Sequence, residues 1–143
     1  MNATFEQTAR GVTHALLRMV AGLMFWQHGA QKLFGWLDGR QVQDLASQSG
    51  LAGVLEFFGG ILIIVGLFTR PVAFILSGEM AFAYFLSHAP RALWPIMNRG
   101  EASVLFCFIF LFFAAQGAGP YSLDSLICKR RPSAALWATP TKA

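Results

Sequence analysis

Charge is what this chain has least of. Only 13% of its 143 residues are Asp, Glu, Lys or Arg, about half the share of an ordinary soluble domain. So little polar surface cannot cover a core of this size in water, which excludes a free-standing soluble domain. Cysteine is nearly absent as well: there are two, Cys107 and Cys128. With no CxxC, no CxxCH and no zinc spacing, the chain has no thiol–disulfide centre, covalent haem or structural zinc site of its own. Cys107 sits in an apolar run and Cys128 in a basic tail, so they are expected at different depths and unpaired. The excess of basic residues, net charge +4, is scattered and does not point to nucleic acid. The one basic run, Lys129, Arg130 and Arg131, reads as contact with lipid headgroups.

What is abundant is apolar: 55% hydrophobic residues, with 14 Phe and 4 Trp. The whole chain, 1–143, reads as a single integral membrane domain. The pattern predicts four spans at about 13–36, 51–68, 71–88 and 101–116, each near the roughly 20 residues that cross a bilayer. Thr69-Arg70-Pro71 breaks the second from the third, because proline disfavours helix in the residue before it and suits a first helical turn. Gly117 to Pro120 stops the fourth. Segment 37–50 reads as a polar loop with a short surface helix over 42–47, and 89–100 as a second loop. Segment 122–131 reads as a short amphipathic interfacial helix, and 132–143 as a loose tail. The first span is too long, and too interrupted by Arg18, for a signal-peptide core. Short connections make an all-α, antiparallel four-helix bundle the simplest architecture. Arg10, Arg70, Lys129, Arg130, Arg131 and Lys142 fall on one side, against Arg40, Arg91 and Arg99 on the other, which predicts that both termini face the cytoplasm.

Ionisable residues inside such spans are costly and must face partners within a bundle. Counting depth at about 1.5 Å per residue places Arg18 and Glu79 at matching levels on different helices. A buried Arg18–Glu79 ion pair is expected, and such a pair can serve helix register alone. Toward the opposite side, His28 and Lys32 share one face of the first span. Glu56 enters the second and His88 closes the third. These four are expected to converge on one ligand pocket, although Lys32 alone could snorkel to the surface. Asn98 and Glu101 have capping-box spacing and are expected to cap the fourth span. Gly59, Gly60 and Gly66 suit close helix approach, and Met24, Met80 and Met97 suit packing. No residues are arranged as a metal site, and a bis-histidine haem has no further support.

Taken in order, these residues resemble the DoxX family of small bacterial membrane proteins. The carriers are Arg18, HGAQKLFGW (28–36), EFFGG from Glu56, GLFTRP (66–71), Glu79, the run from Ala83 to His88, NRGE (98–101) and GPYSLD (119–124). The resemblance implies a four-helix fold in the bacterial inner membrane and the family's customary label of oxidoreductase subunit. Relatives are associated with thiosulfate–quinone oxidoreduction and with complexes that handle thiol and oxidative stress. The chain itself carries no flavin, haem or iron–sulfur motif, so an electron donor would be a separate partner protein, and a quinone is the ligand implied. In that role His28 would donate to a quinone oxygen, Glu56 would relay a proton and Lys32 would stabilise developing negative charge. Two other readings stand beside it: a membrane scaffold acting through its loops and basic tail, and a small-solute or lipid carrier. For the carrier, four short spans without inverted halves would need a homo-oligomer.

Overall fold

A computed structural model describes residues 3–128, and among these residues every regular element is helical. The elements are α1 (Ala3–Phe34), α2 (Gln48–Val65), α3 (Thr69–Ala83), α4 (Pro95–Asn98), α5 (Glu101–Gln116) and α6 (Leu123–Cys128). A wide π turn, Tyr84–His88, continues α3. The expected tail 132–143, and the part of the interfacial helix from residue 129 on, lie outside the described residues.

Helix α1 starts about ten residues before the expected span. Nothing in Ala3 to Arg10 stops a helix, and local contacts support one: Glu6 and Arg10 approach to 4.0 Å across one turn, and the Thr8 and Thr13 hydroxyls donate back to carbonyls. The short helix expected over 42–47 does not form. Asp44 Oδ1 accepts from Ala46 N–H at 2.9 Å, and side chains of this type divert the backbone from helix by such local bonds. Ser47 then caps α2, accepting from Gly50 N–H at 3.1 Å, as an N-cap serine does.

Glycines set the register between α1 and α2. A Cβ on Gly29 would lie 2.3 Å from the backbone nitrogen of Phe57, one on Gly60 2.8 Å from that of Trp26, and one on Gly22 2.9 Å from that of Ile64. Only glycine lets two helices approach this closely. The pairing runs antiparallel, with rising numbers on α1 meeting falling numbers on α2. Helices α3 and α5 run antiparallel too: Ser77 Oγ donates to Cys107 O at 2.9 Å, and Arg70 donates to carbonyls at the end of α5. The core lies between these pairs, where Phe25 of α1 meets Phe110 of α5 edge-on at 4.7 Å over Ile63, Ala73, Leu76 and Met80.

Outside this core the surface is apolar. Leu17, Val20, Leu23, Phe58, Phe74, Ile75 and Phe108 are all exposed, a larger apolar surface than a monomer shows to water. Among the described residues, one helix, Gln48–Val65, is both long and apolar enough to cross a membrane. Helix α1 is interrupted by charge, α3 by its change to a π turn, and α5 is shorter.

Candidate functional site

The expected Arg18–Glu79 pair does not form. In the α1–α2 register Arg18 is level with the end of α2, where its guanidinium lies 1% exposed. It donates to Ile63 O, Ile64 O and Tyr121 O, each at 2.6 Å. The last carbonyls of a helix lack partners within it and carry partial negative charge, so the terminal amino groups of a buried arginine find acceptors there, with Nε left unpartnered among the described residues. A Cβ on Gly66 would strike this guanidinium at 2.6 Å, which leaves room only for glycine. Glu79 is ten residues into α3, about 15 Å by helix rise from the Thr69 end. Matching the two depths failed because α1 begins earlier than expected, which carries Arg18 toward the α2–α3 turn.

That turn holds a further residue that sequence reasoning left unassigned. Asp124 receives Phe68 N–H at 2.8 Å and Thr69 N–H at 2.9 Å, and its own N–H donates to Gly66 O at 2.9 Å. Phe68 sits in the left-handed region at φ 49°, a strained conformation for a bulky residue, and the carboxylate fastens it. GLFTRP and GPYSLD are therefore two halves of one joint; the signal was an aspartate with no other duty near a chain reversal.

At the opposite end of the α1–α2 pair, Lys32 reaches across to Glu56. Gly53 makes this possible, since a Cβ there would lie 3.0 Å from Lys32 Cβ. The Lys32 Nζ–Glu56 Oε1 distance is 2.6 Å, with the lysine side chain 33% exposed and the glutamate side chain 4%. Glu79 lies level with Glu56 on the adjoining α3, as the contact of Gly59 with Leu76 indicates, and it is within electrostatic reach of both Glu56 and Lys32. The three line a cleft of about 470 Å³ between α2 and α3, whose apolar walls include Leu51, Leu55, Ile75, Phe82 and Leu86. Glu56 Oε2 and both carboxylate oxygens of Glu79 are buried and have no hydrogen-bond partner among the described residues.

Of the four residues expected to share a pocket, Lys32 and Glu56 meet and line the cleft. His28 and His88 do not line it. His28 lies on the exposed side of α1, edge-on to Phe106 of α5 at 6.3 Å, because the face of α1 that carries Lys32 toward α2 turns His28 away. His88 places Nδ1 3.1 Å from Asn98 O. The capping role expected of Asn98 and Glu101 is likewise replaced. Asn98 is 2% exposed, donating to Ala92 O at 2.7 Å and accepting from Gly100 N–H at 2.7 Å. It knits the 89–100 loop, while Glu101 stands exposed at the start of α5. Tyr84 completes this knot by donating to Leu93 O. Among the described residues no cluster of His, Cys, Asp and Glu could hold a metal ion.

The chain is similar in sequence to known bacterial proteins. A Haemophilus influenzae protein of no assigned function is 41% identical over 122 residues, covering 81% of this chain and 91% of that protein. The inner membrane protein YqjF of Escherichia coli is 29% identical, covering 79% of this chain and 90% of that protein. Bacillus subtilis CatD, provisionally described as an oxidoreductase, is 26% identical, covering 90% of this chain and 93% of that protein. No solved structure matches the chain significantly. The DoxX family profile matches residues 13–89, from the helix that bears Arg18 and Lys32 through both walls of the cleft to the end of the π turn: the chain belongs to the DoxX family.

Proposed function

We propose that the protein is a multi-pass protein of the bacterial inner membrane, whose α2–α3 cleft binds a small amphiphile of the quinone class as part of a redox-linked assembly. The observation that carries this reading is Glu56: a carboxylate 3% exposed, one oxygen on Lys32 and the other unpartnered in an apolar-walled cleft. A buried ionisable group inside apolar helices marks a functional site by default, and a ligand pocket is mostly apolar with a few convergent polar groups. Lys32 has further N–H donors to offer a quinone carbonyl, while Glu56 and Glu79 accept from quinol hydroxyls and hold a proton between uses.

Membrane insertion is supported by the encircling apolar surface and by the YqjF relationship. The four spans are α1, α2, α5 and the continuous helical run Thr69–His88, about 30 Å long at the usual rise and so long enough for the hydrocarbon core. Both termini face the cytoplasm in this reading, which a C-terminal reporter fusion tests directly. The redox assignment draws on the description of CatD, and the electron donor is a partner protein. The binding test is thermal unfolding of detergent-solubilised protein with and without a short-chain ubiquinone, supplied oxidised and then reduced. One of the two forms should raise the wild-type Tm and leave that of Glu56→Gln unmoved; no shift of the wild type by either form removes the quinone.

A further inference from the structure

Gly78 is the one glycine of α3, and it lines the cleft beside Glu79. A Cβ placed on it would meet nothing within 4 Å. Elsewhere the interior glycines of these helices are required by a neighbour: Phe57 crowds Gly29, Trp26 crowds Gly60, Leu76 crowds Gly59. Gly78 has no such neighbour, yet glycine in a helix interior destabilises it. Its effect is to leave open the wall of the cleft next to the two carboxylates.

The hydrogen-bonding character of that wall is one-sided. Among the described residues, three buried carboxylate oxygens, Glu56 Oε2, Glu79 Oε1 and Glu79 Oε2, have no donor, and the Lys32 ammonium beside them is engaged with the remaining oxygen. Unpartnered carboxyl oxygens therefore gather on the wall of the cleft beyond the Lys32–Glu56 pair. Phosphate, sulfate or a fatty-acid carboxylate would bring further acceptors to a site whose oxygens already lack donors. A head that brings hydrogen-bond donors and no negative charge completes it, since unsatisfied buried carboxylates are costly and bonds to them are strong.

From Gly78 and this imbalance we infer that the cleft is selective for amphiphiles with a hydrogen-bond-donating, uncharged or cationic head, seated over Gly78 between Glu56 and Glu79 with its tail along Leu55, Ile75 and Phe82. This rests on the reading of the cleft as a ligand site and adds to it which head the site takes. Two sources share the chemistry: the hydroxyls of a quinol, and the ammonium of an amine lipid.

The test measures binding to solubilised full-length protein by thermal shift and by competition between two matched probe pairs. One pair is a short-chain ubiquinol and its bis-methyl ether, which lacks the hydroxyl donors. The other is dodecylamine and dodecyltrimethylammonium, a cation without N–H donors. Losing donors to buried carboxylates should weaken binding at least about tenfold within a pair. Ubiquinol bound in preference to its ether assigns the site to the quinol; dodecylamine bound in preference to its trimethyl analogue assigns it to an amine lipid; either result supports the inference. Gly78→Phe, which puts a ring on the cleft wall where a Cβ meets nothing within 4 Å, should abolish the preferred probe's shift while the protein stays folded. If methylated and parent probes bind equally and Gly78→Phe still removes them, the selectivity is wrong while the cleft remains a ligand site. If no probe shifts the wild type, both the selectivity and the ligand reading fall.

Discussion

Helix α1 sends two cations to α2, about four turns apart on nearly the same face, and their fates differ. Arg18 meets only backbone: three carbonyl oxygens, two from the last turn of α2 and one from the 117–122 segment. Lys32 meets a side chain, Glu56, with a second carboxylate, Glu79, one helix further on. The guanidinium's fan of donors suits several fixed acceptors at once, whereas an ammonium is a compact charge on a flexible stem. At the Arg18 end backbone carbonyls take up the guanidinium's terminal amino groups, Nε alone of its nitrogens is left over among the described residues, and Asp124 stands within electrostatic reach. At the Lys32 end three buried carboxyl oxygens stay unpartnered among the described residues, beside an open cleft. The first end builds a joint, and the second keeps a chamber.

The largest effect is expected at the joint. Arg18→Leu strands three acceptors in a buried site, and about 3–5 kcal/mol should be lost, on the scale of breaking a buried charged contact. Arg18→Lys should recover only part, because one ammonium cannot span three carbonyls in this geometry. Thermal unfolding in detergent reads both. A loss under about 1 kcal/mol for the leucine variant would mean the guanidinium is held no better than a surface charge.

Lys32→Met should cost less, about 2 kcal/mol, because the lysine is one-third exposed and solvent screens part of the pair. The comparison sharpens in a cycle. Glu56→Gln made together with Lys32→Met should restore most of that loss, since it removes the carboxylate the lysine left unpaired. The same strategy cannot work at Arg18, where the partners are backbone. Additive losses at Lys32 and Glu56 would abolish the distinction between the two ends.

Asp124→Ala should cost about 0.5–2 kcal/mol, the usual range for a lost N-cap, by releasing Phe68 and Thr69 N–H. Asp124→Asn, which keeps one acceptor, should fall between. Unfolding midpoints of the two variants check the order.

How much of this was readable beforehand follows from what each signal depends on. The helix end at Gln116 was legible because glycine at a stop is a local property, whereas α2, expected to run to 68, ends at Val65 with Gly66 as its left-handed cap rather than as a site of helix approach. Lys32 and Glu56 were legible as neighbours because both sit near one connection, the 37–50 loop, so errors in counting stay small. Glu79 was legible as a buried carboxylate in need of company, yet it was given the wrong partner. Its depth was measured from one turn and that of Arg18 from a helix start that lay elsewhere. The carbonyls that receive Arg18 leave no mark in a sequence, because every residue has one. Asp124 does leave a mark, as an aspartate without another duty, but its partner does not, since that turn lies 55 residues away. His28 misled through spacing: four residues from Lys32 gives a shared face, but a helix this broad divides that face between α2 and α5.

The smallest expected effect has the opposite sign and bears most directly on the chamber. Gly78→Ala adds a methyl where nothing lies within 4 Å, so it should stabilise α3 by about 0.5–1 kcal/mol through helix propensity alone. Glycines that serve packing cannot behave this way: Gly29→Ala drives a Cβ to 2.3 Å from the Phe57 backbone and should destabilise. If Gly78→Ala raises the unfolding midpoint while reducing the shift given by the preferred probe, the residue trades helix stability for room at the carboxylates. A gain in stability with binding unchanged would leave the open wall without a purpose, and the contrast between joint and chamber would then rest on Glu56 and Glu79 alone.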